Sequence, residues 1–463
     1  MAFASAPSTA SDLIIGRTLR DARIVILLCA FTLLMLAGCS SNSSSDILNT
    51  TGTNVPQSER RFIDNEQVHV YRPGGKYAAV LKQCIVPEED PCTLQALPYI
   101  GQEHPDPTIA NIMGRVMVTH DWMGQRFEQV LIAMPQESLK LFVPVTAVLI
   151  GSNVRPSNYW SKYGRIQLDP KGLWLSNSEK LTISQAPDSR EQNGKEMKYD
   201  SSWRMIKDGD YAWGSSGLTG DNERTLRDIL LPMSQLFFHE LAHANDAIQK
   251  EIFPSLLATD TPVSATSKNE ENAVSTGLFD ESLGLSVQNS WLYAIARTRT
   301  DDDKLPDFTV DFTAVDAGAI METEGKQTLY GYYTIYEDVA TLFAHAMMRR
   351  HYGLESQVAY YDKPADEANA TCDDYIIGWG STNRAAADLV KVRSKWVMEQ
   401  IMGSSAEIDD FYQTVGTEGR LPVGVAYCRS LEIQMASDLR SGESMPSMKE
   451  LQDYERSLFG PHH

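Results

Sequence analysis

The 463-residue sequence has only one long apolar run, Ile24 to Leu36, which leaves no material for a multi-span membrane protein. It is short of positive charge: 41 Lys and Arg stand against 61 Asp and Glu, for a formal charge of -20. A surface of that sign repels phosphate backbones, so no nucleic-acid partner is expected. Cysteine is sparse, at six, and none of the six has the paired spacing of a Cys-rich zinc site. Phosphate and acyl-transfer signatures are missing too. The sequence has no GxSxG elbow and no P-loop, and GWGSTN at 378–383 lacks the last glycine of a dinucleotide fingerprint. Nor is there an internal repeat or heptad run, which sets aside solenoids and coiled coils. What remains, at 42% hydrophobic and 22% charged residues, is the composition of a globular chain.

The N-terminus reads as an export signal. Arg17, Arg20 and Arg23 precede the apolar run, which is shorter than the ~20 residues that span a bilayer. It ends in Leu36-Ala37-Gly38-Cys39, which resembles the lipobox of bacterial lipoproteins. That resemblance implies cleavage after residue 38 and lipidation of Cys39. Ser40 at the sorting position then implies the outer membrane of a bacterial cell envelope. Residues 39–59 are rich in Ser, Asn and Thr without apolar periodicity, a flexible tether reaching about 25 Å. The folded region is expected over 60–463, with an insertion near 255–330 as one way of dividing it. In an exported chain the four remaining thiols are expected as disulfides, and sequence proximity favours Cys84 with Cys92 and Cys372 with Cys428.

Strands are expected in 67–86 around a Gly74-Gly75 turn, at Val145–Ile150 and in GRIQLDP, where Ile166 and Leu168 alternate with polar neighbours. Helices are expected over Pro107–Met134, from Pro232 to about Glu251, over 281–298 and over 333–350, with 186–224 and 255–275 as loop. Helices and strands in separate blocks, without βαβ alternation, point to an α+β fold with a helical C-terminal part.

One motif carries chemistry. Residues 237–246, FFHELAHAND, contain His239, Glu240 and His243 in the pattern HExxH. Two histidines four apart lie about 40° apart around a helix, so both imidazoles reach one point. A Zn2+ ion there takes two nitrogens, and Glu240 reaches a water beside it as general base. Phe237, Leu241, Ala244 and Ile248 fall on the opposite side, which gives the helix an apolar back.

In this motif the chain resembles the zincin metallopeptidases. The resemblance is firm over 230–250 and implies a mixed sheet packed on the motif helix, whose edge strand pairs with extended substrate. GRIQLDP is the candidate for that strand. The metzincin subclass would need glycine at 246 and histidine at 249, where this chain has Asp246 and Gln249. Gluzincins instead supply a glutamate from a later helix, and YEDVATLFA resembles such a helix. It implies Glu337 as third ligand, with 93 residues between it and His243, and Glu281 and Glu322 as competitors. Tyr333 on the same face is the candidate electrophile. The thermolysin-like aspartate four residues after the ligand is replaced by Thr341. The longer motif HExxHxxD is similar to another gluzincin group, in which Asp246 would orient His239 or His243. The function this implies is a lipid-anchored zinc metallopeptidase acting on a protein or peptide. The alternative is a zincin-like surface lipoprotein that binds metal or a protein partner without hydrolysis.

Overall fold

The structure, a computed structural model, describes residues 67–431 apart from 87–89, 187–189, 191–192, 215–216, 219–220, 281–289, 302, 310 and 368. The signal, the tether, Cys39 and Glu281 lie outside the described residues.

Two five-stranded sheets organise the chain. The first contains β1 (His69–Val70), β2 (Val116–Val118), β3 (Ala147–Ile150), β4 (Asn158–Trp160) and β5 (Arg165–Leu168), in the order β1-β2-β3-β5-β4. It is mixed: β2, β3 and β5 are parallel, and the two outer strands are antiparallel. Side chains alternate along each strand, so both faces find a core. Val116, Val118, Val148, Ile150, Ile166 and Leu168 join the large core that holds the motif helix. Met117, Ala147 and Leu149 face the other way, onto Leu81, Cys84 and Ile85.

The second sheet is antiparallel throughout. It contains β6 (Tyr199–Lys207), β7 (Asp210–Tyr211), β8 (Glu355–Asp362), β9 (Ile376–Thr382) and β10 (Gly419–Arg420), in the order β10-β9-β8-β6-β7. Trp203, Met205, Val358 and Tyr360 reach the same large core, whereas Ala359, Tyr361 and Ile377 pack outward on Leu421, Tyr427 and Cys428. The architecture is α+β. Among the described residues no helix is long and apolar enough to cross a membrane.

Several local expectations are corrected. Residues 78–85 are a helix, not a strand, with Leu81, Cys84 and Ile85 buried at helical spacing. The stretch from Pro107 to Met134 is two helices, Ile109–Met113 and Asp121–Ala133, separated by β2, whose three residues are wholly buried. A helix thus connects the parallel pair β2 and β3, a crossover that block reading missed. The polar segment 186–224 contains the nine-residue β6, whose Ser202 and Arg204 are buried against Tyr361 and Gln357. Residues 262–269 form a helix, and the C-terminal third contributes β8 to β10 beside its helices. GRIQLDP is a strand, but β5 lies inside the sheet and β4 is the edge.

Two helices position the site. Leu226–Ala247 starts six residues before Pro232 because Thr225 and Asp228 cap it: the Thr225 N–H and hydroxyl donate to Asp228 Oδ2 at 2.7 and 2.8 Å. Ile335–Tyr352 is capped by Thr334, whose hydroxyl accepts from the Glu337 N–H at 3.1 Å, and is closed by Gly353 at φ 70. The two helices pack along each other within the large core, and the face that carries His239 and His243 meets the first turn of the second helix at Glu337. Cys84 is bonded to Cys92 and Cys372 to Cys428, with Cα–Cα distances of 5.2 and 5.9 Å.

Candidate metal centre

His239 and His243 leave the motif helix on one face, and their Nε2 atoms stand 3.1 Å apart. Glu337, from the first turn of the second helix, brings Oε2 to 3.1 Å from His239 Nε2 and 3.3 Å from His243 Nε2. All three side chains are buried. Among the described residues no other group of three or more His, Cys, Asp or Glu side chains converges in this way.

The donor set fits a divalent cation. Three ligands at about 2.0–2.2 Å from one zinc at near-tetrahedral angles stand about 3.3 Å from one another, close to the three edges of this triangle. Two imidazole nitrogens and one carboxylate oxygen match zinc in softness as well. Burial pushes the His243 ring down to a pKa of about 3, so it is neutral and its lone pair is available at neutral pH.

Glu240, next to His239, is fully buried. Burial, reinforced by the Glu337 carboxylate, pushes its pKa well above the ordinary range, and the Tyr159 backbone N–H on β4 offsets part of that. A carboxyl held this way binds a proton more tightly than an exposed glutamate does.

The surrounding residues fall differently from their sequence-based roles. The Tyr333 hydroxyl donates to Asp301 Oδ1 at 2.8 Å. The position beside the triad goes to Tyr330, whose hydroxyl donates to Glu337 Oε1 at 3.0 Å and whose ring lies 6.3 Å from that of His239. Tyr330 was not singled out in the sequence, because it sits in the irregular turn Leu329–Tyr332, whose path only packing sets. Asp246 accepts the Ser275 N–H at 2.7 Å, and Asn269 Nδ2 donates to the Asp246 carbonyl at 3.0 Å. Asp246 therefore ties the segment around 269–275 to the end of the motif helix. Burial raises its pKa to about 6, against the hydrogen bonds its carboxylate accepts from Ser275 and the Val274 backbone. Thr341 bonds back to the Glu337 carbonyl at 2.8 Å and holds backbone, not a ligand side chain. Glu322 accepts from Trp379 Nε1 at 3.1 Å and from Arg420. His345 packs its ring at a tilt against Trp203, with centroids 4.9 Å apart.

A cavity of about 320 Å³ opens on His243. Tyr159 and Ser161, at the end of edge strand β4, form one wall, with Tyr336 and the 266–276 segment among the others. No protein-family model, curated protein or solved structure matches the chain.

Proposed function

We propose that the chain is a zinc-dependent metallopeptidase of the zincin type, gluzincin-like in its ligands, held by lipid on Cys39 at a bacterial outer membrane. The observation that carries this reading is the buried triangle of His239, His243 and Glu337 with Glu240 beside it on the same helix. A mixed sheet against that helix, with an antiparallel outer strand, supports the zincin comparison.

Bound zinc supplies Lewis acidity, lowering the pKa of water to about 7 and polarising a carbonyl oxygen. Glu240 takes the proton from the attacking water and hands it to the leaving amine, a shuttle for which its raised pKa is suited. Tyr330 holds Glu337 by Oε1, so that Oε2 alone faces the two histidines. The outer edge of β4 offers backbone groups to an extended peptide, and Tyr159 and Ser161 carry that edge to the cavity beside His243.

The test pairs zinc content, by elemental mass spectrometry, with hydrolysis of an unfolded protein. Wild type and Glu240→Gln are both expected to hold one zinc, with activity in the variant lower by about 10²–10⁴-fold. Zinc in both with hydrolysis in neither would favour the metal-binding lipoprotein instead. Cys39→Ser is expected to leave the membrane fraction, and unchanged fractionation would reject the lipid anchor.

A further inference from the structure

We infer that the cavity beside His243 receives a cationic side chain, lysine or arginine, from the substrate residue next to the scissile bond, and that Glu270 determines this preference. The inference rests on the peptidase reading above and adds the substrate class.

Three independent features of the cavity favour a cation. First, its lining contains Asp246 and Glu270 and no lysine or arginine. Asp246 is already occupied by Ser275. Glu270 is exposed and forms no ion pair among the described residues, while Lys268, two positions away, is engaged with Asp260 at 2.6 Å. Second, the cavity lies at the C-terminal end of the motif helix, whose last residue, Ala247, is part of its wall. The carbonyls of that last turn carry the negative end of the helix dipole, which attracts positive charge. Third, Tyr336 turns a ring that is 50% exposed into the same space, and an aromatic face beside a carboxylate is a favourable surface for guanidinium or ammonium.

Size agrees. About 320 Å³ is at the small end of ligand sites and suits one long side chain. Much of the remaining wall, such as Ala247 and Ser267, is small and leaves that space open. A chain with a formal charge of -20 also steers cationic peptides towards itself.

The experiment uses the zinc-loaded protein and peptides that differ only in the two residues flanking the cleaved bond, with Lys, Arg, Leu or Glu at each. The readout is the ratio of kcat/KM for basic over Leu peptides. Wild type is expected to favour Lys or Arg at one of the two positions by about tenfold, a ratio that Glu270→Gln collapses and Glu270→Lys inverts in favour of Glu. Equal ratios in wild type and Glu270→Gln would overturn the inference and leave the peptidase reading standing. A second arm measures binding of the same labelled peptides by anisotropy in Glu240→Gln and in Glu240→Gln/Glu270→Gln. If no peptide is cleaved by wild type, the peptidase reading fails, and this arm still decides. Weaker binding of basic peptides alone in the double variant supports the cation site, and unchanged binding rejects it.

Discussion

Glu337 and Asp338 are adjacent in sequence, yet their carboxylates serve different faces of one helix start. Glu337 Oε2 lies 3.1 Å from His239 Nε2, while Asp338 Oδ2 is 2.5 Å from Lys326 Nζ and is also bonded to Arg393. Consecutive helix residues project about 100° apart, so one residue faces the motif helix and the next is clamped in a buried cationic pair. Arg393 also donates to the Gly325 carbonyl at 2.6 Å, and Arg384 to that of Lys326, which locks the approach to this helix.

Asp338→Asn removes the buried carboxylate that Lys326 and Arg393 share. Breaking such a group from one side costs about 3–5 kcal/mol. Urea unfolding of the zinc-free protein is expected to show a loss of that size. A change below about 1 kcal/mol would mean that the clamp contributes little to stability.

Glu337→Ala removes one corner of the triangle and is expected to abolish stoichiometric zinc binding together with hydrolysis. Asp246→Asn leaves the triangle intact and is expected to retain zinc, at an affinity lower by about 10–100-fold if the 269–275 segment loosens. Competition with a chelator of known affinity measures both. Full zinc retention by Glu337→Ala would move the third ligand elsewhere.

His345 supplies a pH dependence of stability outside the triad. Its ring is buried against Trp203, its Nδ1 accepts from Gln327 at 3.1 Å, and burial lowers its pKa from 6.5 to about 3. Below about pH 6.5 the unfolded chain takes up a proton that the folded chain refuses. The stabilisation is therefore complete above pH 6.5 and is lost progressively as the pH falls towards 3. At pH 5 the loss is about 2 kcal/mol. Between pH 7 and pH 5, unfolding free energy in His345→Gln is expected to fall by about that much less than in wild type, whatever the constant offset between the two proteins. Parallel pH profiles would show that His345 is not the group responsible.

What the sequence determined by itself is local and periodic. The spacing of His239 and His243 puts both rings on one face of a helix, and Phe237, Leu241 and Ala244 give that helix its buried back. The second helix is legible in the same way, expected over 333–350 and found at Ile335–Tyr352, while its Thr334 cap and Gly353 stop were not read from the sequence. Tertiary structure decided what had to be brought from elsewhere. Glu337 meets the histidines and Glu322 is drawn off to Trp379 because two helices 87 residues apart at their closest ends pack along each other. Tyr330, not Tyr333, touches the ligand because an irregular turn aims it there. β4, not β5, is an edge of its sheet, since strand order depends on pairing across the chain and not on the alternation within a strand. Helix phase repeats every 3.6 residues and can be read in a short window. Which segments meet is fixed only when the whole core closes, because each contact is selected by the packing of all the others.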